Sequence, residues 1–442
     1  MINIVMIIVE VGAMPMKVAA STRTRDEEIG AFFAADPKTI AWPYPMYARW
    51  REGTGVVRWE GGPATVVTHH QDVKDVMSGV YPVIQNAYRF GELAEGTISR
   101  LPLAQHDVFF KVLDFESLFM SRNEAGEHAR LRRIAARAFT ARRIELLRAS
   151  VQRHVDDLVD DMLRTRAAGG TPDVKRDLAN RLPVRVIVDM LGVPQSDREL
   201  IWEWSEAVGR LFSLDERSLR EADEAIDAFR AYVGRTVIRF RETGEGPDLA
   251  KAMLEHRDHE GLTEDELVAM YLLILFGGSE TTTNLLGNGF LALQRHRDQW
   301  DLLCAQPELV RGASDELIRY DSPHHYLPRV ATADFDLHGT PVRAGQTVIV
   351  MMGAANRDPS VFDDPDRLDL TRTNRLDHLS FAFGAHYCLG AALARLEGEV
   401  VLSTLTRRFP DARLLDDAPA YAGSAMLRAI RRLPTDLGPD RG

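Results

Sequence analysis

The chain is expected to fold as a mainly α protein with small β-sheets, an α+β arrangement threaded by one long buried helix. Three observations lead there. From Glu127 to Arg241 the apolar residues recur at helical spacing almost without a break. Thr263-Glu264-Asp265-Glu266 forms a capping box, and the helix it opens meets no proline before Pro307. Short strand-like runs, by contrast, are confined to residues 56–68 and 329–351.

Taken in order, the first nine residues, Met1 to Val9, are apolar and are followed by Glu10. That run is about half the ~20 residues a membrane helix needs, and no basic residues precede it as in a signal peptide. It reads as an extra strand or as a start assigned too far upstream of Met14 or Met16, with the second preferred. Residues 1–20 are therefore set apart as an N-terminal extension, disordered or mis-assigned, and residues 21–442 are taken as one domain. Val56 to Trp59 and Ala64 to Thr68 flank Glu60-Gly61-Gly62-Pro63, a β-hairpin pattern, and a helix follows from about Gln71 to Ser78. Residues 80–120 lack periodicity and are expected to be a long functional loop. Gly192-Val193-Pro194 and the stretch from Gly244 to Pro247 are stop signals.

The capped helix is predicted to continue to about His296, roughly 50 Å at 1.5 Å per residue. From Leu267 to Phe276 it is apolar on nearly every side, so it belongs in the interior. A further helical stretch ends near Tyr320. Short strands are then predicted at Arg329 to Ala331, Phe335 to Leu337 and Thr347 to Met351. An irregular segment from Asn356 to Arg375 leads to a last amphipathic helix, Leu389 to about Arg408.

Composition narrows the functional classes. The 442 residues are 45% hydrophobic and 27% charged, as in a soluble protein with a large core. A net charge of −11 argues against nucleic-acid binding. The two cysteines, Cys304 and Cys388, form neither a disulfide framework nor a zinc pattern. No other segment is a membrane span, so a cytoplasmic protein is expected.

Four motifs carry chemistry. Phe381-Ala382-Phe383-Gly384-Ala385-His386-Tyr387-Cys388-Leu389-Gly390 places one cysteine on a small-residue loop where a helix begins. A helix N-terminus favours the thiolate, the form that ligates haem iron; the alternative is an inert buried cysteine. In the middle of the buried helix, Gly277-Gly278-Ser279-Glu280-Thr281-Thr282-Thr283 makes a poor helical centre. Its glycines let a flat ligand approach the backbone, and a carboxylate beside a hydroxyl suits a proton relay, Glu280 to Thr281. A helix-packing patch is the other reading. Glu316 and Arg319 stand at i and i+3, either a solvated pair or, with Arg367, a buried cluster. His128 and Arg132, four apart, face one way and can clamp a carboxylate, and the basic run from Arg130 to Arg148 is a solvated face or a docking patch.

Together and in this order, His128-x-x-x-Arg132, Gly277-Gly278-x-Glu280-Thr281, Glu316-x-x-Arg319 and the Cys388 loop resemble the soluble bacterial cytochrome P450 family, from about Trp42 onward. The resemblance implies the fold of that family, with the long central helix over a haem b (iron protoporphyrin IX) group. It implies that Cys388 is the axial thiolate ligand, that His128, Arg132, Arg329 and His386 contact the haem propionates, and that Phe381 and Gly384 of the loop also bind the cofactor. It further implies that Glu280 and Thr281 deliver protons during activation of O2, and that Glu316, Arg319 and Arg367 brace the proximal side. One departure is Ala382, where the family usually has glycine.

The implied activity is that of a haem-thiolate monooxygenase hydroxylating or otherwise oxidising a small-molecule substrate. Electrons would come from a ferredoxin and ferredoxin reductase, docking near Arg130, Arg133 and Arg137. Arginine greatly outnumbers lysine, as in GC-rich actinobacterial genomes, which with the resemblance suggests specialised metabolism. Pro323-His324-His325-Tyr326-Leu327-Pro328-Arg329 is polar for a pocket lining and suggests a hydrogen-bonding substrate. Oxidative cyclisation or coupling, a peroxide-driven enzyme and a non-catalytic haem sensor are the alternatives.

Overall fold

The Thr263 hydroxyl accepts from the Glu266 N–H at 3.1 Å and the Glu266 carboxylate accepts from the Thr263 N–H at 2.8 Å, so two orphan donors at the helix start are satisfied reciprocally. The central helix they open, Glu264–Arg295, ends with His296 as its C-cap, as expected. Leu267, Leu275 and Leu293 on it are fully buried. Helices Leu182–Leu191, Val310–Tyr320 and Ala391–Arg408 pack around it and share its apolar core. Its first half is apolar all round because neighbours cover most of it and Met270, Leu273 and Ile274 line the apolar cavity described below.

The computed structural model describes residues 23–62, 64–85, 98–99, 101–209, 216–243, 262–416, 418–421 and 425–442. The N-terminal run, Pro63 of the hairpin turn and the Gly244-to-Pro247 break lie outside them. Among the described residues, no helix is long and apolar enough to cross a membrane.

The principal sheet has five strands in the order β1-β2-β7-β4-β3. β1 (Val56–Trp59) and β2 (Ala64–Val67) form the predicted antiparallel hairpin, with Val56 opposite Val67. β2 then runs parallel to β7 (Thr347–Val350), pairing Ala64 with Thr347. β7 pairs antiparallel with β4 (Leu327–Ala331), and β4 with β3 (Val83–Ile84). β5 (Phe335–Leu337) and β6 (Thr340–Val342) make a separate hairpin, turned by His338 and Gly339 at φ of 52° and 85°.

Two expectations need correction. Residues 80–120 are not loop throughout: His106–Glu116 is a helix that buries Phe109, Val112 and Leu113 beneath helix Glu216–Thr243. Its i, i+3, i+4 stripe is narrow and lies between Pro102 and Arg122 among scattered aromatics, which hid the period. The last helix begins at Ala391 rather than Leu389, with Gly390 as its N-cap.

Candidate active site

The cysteine loop is built on a left-handed residue. Ala382 has φ of 59° and Gly384 φ of 73°. At Gly384 a side chain is excluded twice over, since a Cβ would lie 3.3 Å from the Met77 carbonyl oxygen and from the Ser78 Cα. Ala382 holds the same kind of backbone with a Cβ in place, at a cost of about 1 kcal/mol. The turn closes through the Cys388 N–H, which donates to the Phe381 carbonyl at 2.7 Å. Phe381 is buried beneath the Arg395 guanidinium, 4.7 Å from its ring centre, and Arg395 donates to Asp315 at 2.8 Å.

Cys388 lies deep in the fold, yet its own surface is open to the cavity described below. Burial pushes its thiol up, and the backbone N–H groups of Gly390 and Ala391 with the charges of Arg132 and Arg395 oppose that only in part. The helix start thus favours the thiolate, as expected, against burial, which has the larger effect. A coordinated metal cation would deprotonate it outright.

The opposite wall is the middle of the central helix. Gly277 and Thr281 face the cavity, and the Thr281 hydroxyl donates to the Gly277 carbonyl at 2.8 Å. Nothing lies within 4 Å of a Cβ built on Gly277, whereas one on Gly278 would come 2.7 Å from Ile187 Cδ1. Gly277 thus opens the backbone to the cavity, and Gly278 serves helix packing. Thr282 also lines the cavity, a hydroxyl the sequence reading passed over. Glu280 does not line it. It shares a stripe with Thr283, Asn284 and Gly287, on the back of the helix.

At one end of the cavity the structure brings together His128, Arg132, Arg329 and His386, elements far apart in sequence. His128 is 3% exposed, stacks on His386 with ring centres 4.0 Å apart, and has no partner for Nε2 among the described residues. Burial, then the positive surroundings of His386 and Arg132, lower its pKa to about 4, so it is neutral. Arg329 is buried and donates to its neighbour, the Pro328 carbonyl, at 2.9 Å; burial pulls its pKa down to about 10, still protonated at neutral pH. Arg132 donates to the Tyr387 carbonyl at 2.7 Å. Glu124, which the sequence reading did not single out, closes the cluster: its carboxylate lies 3.4 Å from His386 Nε2 and accepts from the Gln85 N–H at 2.7 Å. Its position as N-cap of helix Ala125–Ala136, with no capping bond of its own, was the available signal.

Of His324, His325 and Tyr326, His324 alone lines the cavity, and its Nδ1 is buried without a partner among the described residues. His325 points away and meets the Tyr47 hydroxyl at 2.6 Å, and Tyr326 packs on Phe32 and Phe33. The buried cluster also differs from expectation. Arg319 grips Glu316 with two bonds of 2.7 and 2.8 Å, but the second arginine is Arg372, 3.3 Å from Glu316, while Arg367 supplies only its carbonyl. Arg130 bonds to Glu127 and to Glu266 of the capping box, while Arg133 and Arg137 are exposed.

The cavity holds about 1470 Å³ of atom-free space and is partly open to solvent. A thiol on one wall, a bare glycine backbone on the other and a buried imidazole–guanidinium cluster at one end fit a flat, dicarboxylate-bearing metallo-macrocycle. The orphaned Nε2 of His128 and the scarcely bonded Arg329 are the specific match to its carboxylates.

Comparison with known proteins agrees with that geometry. The family model described as cytochrome P450 matches residues 304–412. The chain is 36% identical over 415 residues to cytochrome P450 monooxygenase PikC of Streptomyces venezuelae, covering 92% of each chain. It is 36% identical over 331 residues to the polyketide biosynthesis cytochrome P450 PksS of Bacillus subtilis, 74% of this chain and 79% of that one. Among solved structures, the epothilone D-bound cytochrome P450epoK superposes with a TM-score of 0.81 at 28% identity, covering 91% of this chain and 98% of that one. A mainly helical body with small sheets, a cavity joining Cys388 to Thr281, and similarity along nine-tenths of the sequence lead to one conclusion: the chain belongs to the cytochrome P450 family and is an oxidoreductase of the monooxygenase type.

Proposed function

We propose that this enzyme uses haem b to insert one atom of dioxygen into a specialised metabolite in the cytoplasm, drawing electrons from a ferredoxin. The observation that carries the reading is the single cavity onto which Cys388, Thr281 and the His128–Arg132–Arg329–His386 cluster all open. The relatives PikC and PksS, the second named for polyketide biosynthesis, support the substrate class.

When bound, a haem-thiolate iron supplies reductive O–O cleavage, in which dioxygen, two electrons, two protons and a substrate C–H give a hydroxylated product and water. The protein's own residues do the rest. Cys388 ligates through Sγ, held at its level by the bond from its N–H to Phe381 and by the turn at Ala382 and Gly384. Arg132, Arg329, His128 and His386 bind the two propionates. Thr281 holds a hydroxyl proton at the cavity wall, bonded back to Gly277 so that its oxygen lone pairs stay available. Glu280, on the adjacent stripe, takes protons from behind the helix. His324 presents an imidazole nitrogen to a polar group of the substrate. Exposed Arg133 and Arg137 offer an acidic ferredoxin its landing surface.

Two variants test the reading. Cys388→Ser is expected to lose the long-wavelength Soret band of the reduced carbon-monoxide complex; an unchanged band sinks the ligand assignment. Thr281→Ala is expected to keep that band while sending most of the NADH electrons to peroxide, with a surrogate ferredoxin system. Full product coupling would remove Thr281 from the relay. Spin-state titrations with epothilone D, testosterone and palmitoleic acid separate macrolide-, steroid- and fatty-acid-type pockets.

A further inference from the structure

Lys175 is one of only six lysines in the chain, and it is 4% exposed. It lies on a π-helical turn, Val174–Ala179, whose neighbours Val174, Leu178 and Ala179 belong to the apolar core. Such widened turns re-aim a side chain that an α-turn would leave elsewhere. Here the side chain runs along the back of the central helix. Its Nζ donates to the Asn284 Oδ1 at 3.1 Å and to the Thr283 carbonyl at 3.5 Å. Its path is cleared by Gly287, where a Cβ would lie 2.9 Å from Lys175 Cδ. Glu280, Thr283, Asn284 and Gly287 stand at i, i+3, i+4 and i+7, so the lysine lies along one continuous stripe that ends at Glu280.

We propose that Lys175 is a positioning residue for Glu280, a buried counter-ion that holds its carboxylate charged on the back of the central helix. The inference rests on the reading of Glu280 as the acid behind Thr281. A buried ammonium is costly unless paired. The charges that bear on Lys175 are the Glu280 carboxylate and, more weakly, Asp173 at the N-cap of its own turn. Asp173 is itself occupied by the N–H groups of Arg176 and Leu433 and by Arg432. Glu280 is therefore the partner that justifies a cation here. Burial brings the lysine's pKa down to about 7 against that attraction, so its charge changes around neutral pH. Below that value Glu280 faces a cation; above it Glu280 faces a neutral amine.

With lysine labelled at 13Cε in the holoenzyme, NMR should resolve one resonance, absent in Lys175→Met, that titrates near pH 7. Glu280→Gln should lower that midpoint by about one unit or more. A midpoint unmoved by Glu280→Gln, or one in the range of the surface lysines, overturns the inference even if Lys175→Met fails to fold. Turnover supplies the second readout, on whichever of the three ligands above gives the largest spin shift. The peroxide fraction of the wild type should rise as pH passes upward through 7, whereas Lys175→Met should show a high, flat fraction that Glu280→Gln does not worsen. Uncoupling in Glu280→Gln with full coupling in Lys175→Met overturns this inference and leaves the relay intact. A coupled titration without uncoupling in Glu280→Gln does the reverse.

Discussion

The molecule holds two buried charge clusters, and they are built on opposite plans. In the Glu316–Arg319–Arg372 cluster, Glu316 and Arg319 are fully buried and every bonding direction is used. Arg319 donates to both Glu316 oxygens and to the carbonyls of Asn356, Pro365 and Arg367, and Glu316 also accepts from the Asp369 N–H. In the His128–Arg132–Arg329–His386 cluster the donors outnumber their acceptors among the described residues, with Glu124 the carboxylate beside them. The fully satisfied cluster joins three segments into one frame. The under-satisfied one, among the described residues, keeps donors to spare for an acidic ligand. Satisfaction of buried polar groups, more than burial itself, separates a brace from a binding site.

The contrast breaks if the two arginines respond alike to replacement. Arg319→Ala is expected to cost about 3–5 kcal/mol, because it strands the Glu316 carboxylate in the interior. Urea unfolding of the haem-free protein measures this, and the variant should scarcely accumulate folded. Arg329→Leu should move the other way in the haem-free protein, raising its stability by about 1–2 kcal/mol through removal of a poorly paired buried cation. The same variant should bind haem some ten- to a hundredfold more weakly, the worth of about 1.5–3 kcal/mol in charged hydrogen bonds. A loss of stability in haem-free Arg329→Leu would make that arginine a brace like Arg319.

A gentler probe is pH. The pKa of His128 falls from 6.5 in the unfolded chain to about 4 in the fold, so between those values the unfolded state binds more protons. The stability of the haem-free protein should therefore rise from pH 4 to 6.5, and His128→Phe should flatten part of that slope. A slope unchanged by the substitution would mean that His128 is not buried as a neutral ring. The smallest effect concerns the cysteine loop. Ala382→Gly relieves a left-handed alanine but loosens the unfolded chain, for a net gain of roughly 0.5 kcal/mol. Calorimetry should show a slightly higher melting temperature with an unaltered carbon-monoxide band.

Much of this was legible because certain chemistry demands local sequence. The capping box, the glycine pair in the central helix, and the cysteine among small residues each break a local preference, and the break is visible without coordinates. What escaped was directional. Nothing in the order Asn356 to Arg375 says that Arg372 rather than Arg367 reaches Glu316, because an irregular segment has no period to place its side chains. Glu280 adjoins Thr281 in sequence, yet neighbours on a helix differ by about 100°, and only the threonine meets the cavity. His324, His325 and Tyr326 read as one polar patch and diverge in space. Arg130 looked like part of a docking surface until its bond to Glu266 tied it to the central helix.

The parallel pairing of β2 with β7 has a consequence for how the molecule comes into being. β2 leaves the ribosome early, and its partner strand follows only after most of the helical body has been synthesised. Contacts of such long sequence separation slow folding, since the entropy of closing the intervening chain is lost before the strands reward it. The early hairpin must therefore wait with one edge uncovered, exposed to mispairing with other chains. The same delay applies to His128, which meets His386 only when the cysteine loop has emerged. On the function proposed above, cofactor capture would then come late, and expression that outpaces it should yield more aggregate.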